Sequence, residues 1–200
     1  MRRRMTSRHL FTAVAFALAV HAPFARAALA AGAPAPAFDA PASLAGKTFQ
    51  FSLAAALARG PVVVYFYPSA FTGGCNLEAH TFAVEHEKFV AAGATVVGVS
   101  LDDIGRLNAF SADPDYCGGR IAVASDTVGR IARSYGVGVR AATPGRKDTG
   151  GAAIEHDLAE RSTFVIGRDG RIAAALEGLS PAENVAQALA AVQGLGLGAD

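Results

Sequence analysis

Two residues of this 200-residue chain carry a thiol, Cys75 and Cys117. Cys75 closes the stretch Pro68-Ser69-Ala70-Phe71-Thr72-Gly73-Gly74-Cys75, which follows a β-branched and aromatic run and precedes a helical pattern. The thiolate is the nucleophilic form of cysteine. The first turn of a helix holds unpaired backbone N–H groups and a partial positive charge, both of which favour an anion. Gly73 and Gly74 permit a sharp turn and a close backbone approach just before the thiol. Thr72 can cap the helix or turn its hydroxyl toward the sulfur. The position therefore suits a nucleophile. One half of a structural disulfide is the reading that remains beside it, since two cysteines allow a single internal pairing, Cys75 with Cys117.

The surrounding pattern supplies the elements that would position such a thiol. Val62 to Tyr67, VVVYFY, has no polar alternation and reads as a strand covered on both faces. From Cys75 to about Val90 the pattern is helical: Ala79, Phe82, His86 and Phe89 form a stripe, with Glu78, Glu85 and Lys88 on the more polar side. Gly93 stops this helix. Thr95 to Asp102 reads as a second buried strand, DIGRLNAF as a short helix, IAVASD as a brief strand and TVGRIARSYGV as another helix. KTFQFSL alternates like an edge strand and AAALARG like a helical turn. The glycine-rich stretch from Arg140 to Glu160 reads as a long loop. RSTFVIGRDGRIAAALEG predicts a hairpin turning at Asp169-Gly170, and PAENVAQALAAV a final helix with Pro181 in its first turn. This order predicts an α/β domain with a central mixed β-sheet flanked by helices, the layout of a thioredoxin-like fold.

The first residues predict export. Arg2, Arg3, Arg4 and Arg8 precede an apolar run of eleven, Leu10 to Val20, and then A-x-A sites at Ala25-Arg26-Ala27 and Ala28-Leu29-Ala30. That is the order of a secretory signal peptide, residues 1–27, with a cut after 30 as the second choice. An uncleaved anchor is the competing reading, and eleven apolar residues are short for it. Residues 28–40, stiffened by Pro34 and Pro36, read as an extended entry segment to a domain at 41–200. Cleavage would leave 13 Lys+Arg against 17 Asp+Glu, a net charge of about −4, with no basic patch. That balance argues against a nucleic-acid partner, and no later stretch is long and apolar enough to hold the chain in a membrane. The expected location is the bacterial periplasm, where disulfides persist.

Pro68-x-x-x-Thr72-x-x-Cys75 resembles the P-x-x-x-T-x-x-C active-site pattern of the peroxiredoxins. The preceding VVVYFYP and the following Glu78 resemble the bacterioferritin-comigratory, or Q-type, branch. RSTFVIGRDGRI is similar to the strand that carries the family's active-site arginine, here Arg161. The likeness runs from about Ala35 to Val192. It implies a cofactor-free thiol peroxidase acting on hydrogen peroxide and organic hydroperoxides. Cys75 would attack the peroxide. Thr72, Arg161 and helix N–H groups would meet the leaving oxygen, Pro68 would shield the pocket, and Glu78 would orient Arg161. Many Q-type members place a resolving cysteine five residues after the first, where this chain has His80. Some relatives carry it in the region of Cys117, which implies a reversible Cys75–Cys117 disulfide recycled by an exported, thioredoxin-like dithiol. One-cysteine chemistry, a thiol–disulfide oxidoreductase and a non-enzymatic domain with a structural disulfide are the competing readings.

No residue cluster suggests a metal: His80 and His86 fall on different sides of one helix, and His156 stands apart from other ligands. Asp102-Asp103 at a strand end could mark a site, but a helix cap is the simpler expectation.

Overall fold

The chain is represented by a computed structural model that describes residues 29–196. In order these form β1 (Asp39–Leu44), β2 (Lys47–Ser52), α1 (Leu53–Leu57), β3 (Val62–Phe66), α2 (Gly73–Val84), α3 (His86–Ala91), β4 (Thr95–Ser100), α4 (Ile104–Ala112), β5 (Ala122–Ser125), α5 (Arg130–Ser134), β6 (Val139–Arg140), β7 (Leu158–Ala159), β8 (Ser162–Ile166), β9 (Ile172–Glu177) and α6 (Pro181–Gly196). The expected targeting segment, residues 1–27, lies outside the described residues.

One mixed sheet runs β2-β1-β5-β4-β3-β8-β9. The apolar run at Val62 becomes β3, parallel to β4 and antiparallel to β8. Every residue of β3 is buried because helices cover both faces of the sheet. The two-residue period of a strand sorts its side chains. Val62, Val64 and Phe66 join Phe51, Ile131, Tyr135 and Phe164 on one face. Val63, Tyr65 and the following Tyr67 face α2, α4 and α6 and pack with Phe82, Phe110 and Val185. Cys75 and Cys117 both belong to this second cluster. Among the described residues, no helix is long and apolar enough to cross a membrane.

The structure differs from the sequence reading in four places. Strand β1, DAPASL, was not expected: small residues and Pro41 hide its alternation, yet it joins β2 to β5. The helix after Thr72 starts at Gly73 and breaks at Glu85, whose φ of −83° and ψ of 0° redirect the chain. The bend keeps Phe89 against Phe82, ring centroids 5.7 Å apart. Inside the expected long loop, β6 and β7 form a two-stranded ladder. The entry segment is fastened to the body: Ala35 N–H donates to Gly170 O at 2.9 Å, and Tyr135 Oη donates to Pro36 O at 2.9 Å.

Candidate active site

The residues between β3 and α2 form a loop whose shape is fixed from outside. Pro68 is half-buried at the strand's exit. Phe71 carries a left-handed backbone, φ 57°. This conformation is costly for a non-glycine residue, and the Phe71 ring is held on three sides. It packs edge-on against Phe110 and Tyr116, and the Arg106 guanidinium lies 5.1 Å from its centroid. The sharp turn expected at Gly73 and Gly74 is thus made by Phe71. Both glycines lie inside α2. Gly74 serves a close approach instead: a Cβ there would stand 3.3 Å from Arg161 Nη2.

Thr72 occupies the N-cap of α2 with extended backbone, but its hydroxyl does not cap the helix. It donates to Ser69 O at 2.8 Å, leaving its oxygen lone pairs for another donor. Cys75 falls in the first turn, 3% exposed. Arg161, placed at the head of β8 and 23% exposed, directs Nη2 to Cys75 Sγ at 3.6 Å. Its Nη1 pairs with Glu78 Oε2. Glu78 is fully buried, not on a polar face as the helical pattern suggested. Burial of a carboxylate requires partners, and Glu78 has a second one: Asn184 Nδ2 of α6 donates to Glu78 Oε1 at 2.6 Å and to Thr163 Oγ1 at 2.8 Å. The arrangement presents one cationic fork and the helix N-terminus to the same sulfur.

Cys117 lies outside this group. It is wholly buried in the turn that follows α4, and it is a free thiol, as is Cys75. Burial, and secondarily the Asp113 carboxylate, push its pKa well above the ordinary thiol value, so it is held neutral. The turn is tight: Gly118 and Gly119 adopt φ of 58° and 68°, which only glycine does without strain. Tyr116 stacks on Phe110 at 5.4 Å. His80, an exposed helical residue, is more than that: its Nδ1–H donates to Asp115 O at 3.0 Å, docking the Cys117 turn on α2.

Two residues that the sequence pattern does not single out, and one that it offers only as half of a helix-cap pair, also bear on the site. Asn184 is a polar residue on the buried stripe of α6, beside Val185, Ala188 and Val192; a polar side chain in an apolar stripe was the available signal. Asp102 and Ser69 are the other two, both fully buried. Asp103 does cap α4, accepting from Arg106 N at 2.9 Å, whereas its neighbour Asp102 turns inward to the Cys75 loop.

The sequence model of the AhpC/TSA family matches residues 31–175. A chloroplastic peroxiredoxin Q of Gentiana triflora is 34% identical over 112 residues, 56% of this chain and 44% of the relative. The match therefore spans less than half the length of that relative. Among solved structures, the peroxidoxin BcpB of Mycobacterium tuberculosis superposes with a TM-score of 0.69 at 26% identity, covering 84% of this chain and 98% of the other. Peroxiredoxin Q of Xanthomonas campestris superposes with a TM-score of 0.61 at 29% identity, covering 77% and 89%. These neighbours share the thioredoxin-like architecture seen here, a mixed sheet between helices.

Proposed function

The chain belongs to the AhpC/TSA family, in its Q-type peroxiredoxin branch, and from that membership we propose that it is a thiol peroxidase with Cys75 as the attacking residue. The observation that carries this reading is the Arg161 guanidinium 3.6 Å from a sulfur in the first turn of α2. The Cys75 thiolate attacks one oxygen of a peroxide, and the O–O bond breaks. Cysteine becomes sulfenic acid, and the leaving oxygen departs as hydroxide or alkoxide, which takes up a proton. Negative charge grows on that oxygen in the transition state. Arg161 and the N–H groups of the first turn are the donors within reach of it; Thr72, expected to donate as well, gives its proton to the Ser69 carbonyl and can only accept at the site. Glu78 and Asn184 hold Arg161 in place, and Pro68 walls the pocket. No cofactor enters this chemistry. Hydrogen peroxide and small organic hydroperoxides are the substrates.

The second half of the cycle assigns Cys117 as the resolving thiol. Its sulfur attacks the Cys75 sulfenic acid, forming a disulfide and releasing water. An external dithiol of the thioredoxin type then reduces the disulfide and is itself oxidised. A neutral, wholly buried thiol is a poor nucleophile. Resolution therefore requires the Cys117 turn to leave its seat, breaking the His80–Asp115 bond and the Tyr116–Phe110 stack. The same burial favours a second reading, in which Cys75 works alone and an external thiol reduces its sulfenic acid directly. The amino-terminal pattern supports export to the periplasm and a reductant met there.

Trapping tests the first step. After one equivalent of hydrogen peroxide, a sulfenic-acid reagent should label Cys75 in the Cys117→Ser variant, with mass spectrometry locating the adduct. Absence of label from folded, reduced protein would remove Cys75 from the peroxidatic role.

A further inference from the structure

Behind the loop that carries Cys75 lies a buried cluster of charged groups. Asp102, just past the end of β4, is fully buried and receives five donors. Ser69 Oγ at 2.9 Å, Ala70 N–H at 2.8 Å, Ser100 Oγ at 2.7 Å, Arg106 Nε at 2.9 Å and His156 Nε2 at 2.8 Å converge on its two oxygens. Two of these, from Ser69 and Ala70, belong to the Cys75 loop. The Ser69 carbonyl in turn accepts from the hydroxyl of Thr72, the residue that immediately precedes α2. A chain of contacts thus runs from His156 through Asp102 and Ser69 to the turn holding Cys75.

His156 is the unusual member. Its Nε2 faces Asp102 Oδ1 at 2.8 Å and its Nδ1 faces Asp157 O at 2.7 Å. Both partners are acceptors with no proton to give, and the one hydroxyl beside the ring, Ser69 Oγ at 3.3 Å from Nε2, already gives its proton to Asp102 at 2.9 Å. A neutral imidazole carries one N–H, so it would set a lone pair against one of these oxygens. Only the doubly protonated ring satisfies both contacts. The side chain is 23% exposed, so protons reach it from solvent.

We propose that His156 is a positioning residue for Cys75, acting as an imidazolium that braces Asp102 and, through it, the Ser69–Thr72 loop. The proposal rests on the peroxidase reading of Cys75. The charges facing the ring are Asp102, two residues after β4, and Arg106 from α4, with Asp103 and Glu155 lining the same cavity. Arg106 also pairs with Asp148 at 2.8 Å. With His156 charged, the buried Asp102 and the half-buried Asp148 carboxylates are matched by two cations. With His156 neutral, one carboxylate loses its counter-charge. Burial by itself lowers the pKa of His156. The bond and charge of Asp102 and the Asp157 carbonyl outweigh that and raise it above the ordinary histidine value. Loss of the proton at higher pH weakens the brace while leaving the Cys75, Arg161 and Glu78 side chains in place.

Two measurements test this on the full folded protein. NMR titration of reduced wild type follows the His156 ring and the amides of Ser69, Ala70 and Thr72. The ring should titrate with a midpoint above the ordinary ~6.5, and the loop amides should share that midpoint. Stopped-flow peroxide reduction should show an alkaline fall in rate at the same midpoint. His156→Gln should lack that limb and run roughly three- to tenfold slower below it, as expected when a neutral amide donor replaces a charge-assisted hydrogen bond. A ring midpoint at or below the ordinary value, loop amides indifferent to it, or an alkaline limb kept by His156→Gln would each overturn the proposal. If His156→Gln does not fold, the wild-type titration decides. If no peroxide is consumed at any pH while the loop amides still follow His156, the brace stands and the peroxidase reading falls.

Discussion

Arg161 and Glu78 form an ion pair closed to water on the carboxylate side: Glu78 is fully buried, while the guanidinium keeps its other nitrogen 3.6 Å from Cys75 Sγ. From the sequence, removal of Arg161 should cost peroxidase rate far more than stability. The buried carboxylate alters that balance. Arg161→Ala strands an unpaired charge, a change that costs roughly 3–5 kcal/mol in comparable sites. Chemical denaturation should show this loss, and the double variant Arg161→Ala/Glu78→Gln should recover most of it. Peroxide reduction should stay low in both. Recovery of rate together with stability would mean that Arg161 serves the fold and not the reaction.

Asn184 holds Glu78 from the far side, 2.6 Å from its second oxygen. Asn184→Leu leaves that oxygen and Thr163 Oγ1 without their donor, at a cost of about 1–3 kcal/mol. The Arg161 fork should then wander, and the rate of the first step should fall while the Cys117 step keeps its rate. A variant with unchanged peroxide reduction would show that Glu78 is fixed adequately by Arg161 alone.

His80 fastens the Cys117 turn to α2 through the Asp115 carbonyl. If Cys117 resolves, His80→Ala should speed disulfide formation severalfold, on the scale of one hydrogen bond of roughly 1 kcal/mol. The first step should not change. Faster resolution should also leave less sulfenic acid for a second peroxide, so the variant should resist overoxidation. Disulfide formation no faster than wild type would mean that the turn leaves its seat by another route.

Stability should depend on pH from both sides of the Asp102–His156 pair. Burial alone would raise the pKa of Asp102, but His156, the Ala70 N–H and Ser100 hold it below the usual carboxylate range. Its contribution is present above its unfolded value of ~3.9 and is lost as pH falls through the lower folded value. His156 is shifted upward, so its contribution is complete below ~6.5 and is lost as pH rises through the higher folded value. Urea midpoints should therefore decline on the alkaline side of ~6.5 in wild type and stay flatter in His156→Gln. Parallel curves would place the alkaline dependence elsewhere.

The central strand and the thiol at the exit of it were legible because both are local: VVVYFYP reads as a covered strand, and Thr72 to Cys75 as a helix start. The meeting of Cys75 with Arg161, 86 residues later, was expected through family resemblance. Residue spacing alone does not encode it. Asn184 was illegible because its contact with Glu78 depends on how α6 docks against α2. Asp102 was hidden by its neighbour. A helix-cap expectation fitted the pair, and it held for Asp103 while Asp102 turned to the loop. Phe71 was missed because its left-handed backbone is sustained by Phe110, Tyr116 and Arg106, not by its own preference.

The central claim, that Cys75 reduces peroxide, is tested most directly by stopped-flow reaction of the reduced protein with one equivalent of hydrogen peroxide, counting free thiols before and after. Rapid consumption abolished in Cys75→Ser is the predicted result, with both thiols lost in wild type if Cys117 resolves and one retained if Cys75 works alone. A folded, reduced protein that leaves the peroxide untouched and keeps both thiols would contradict it.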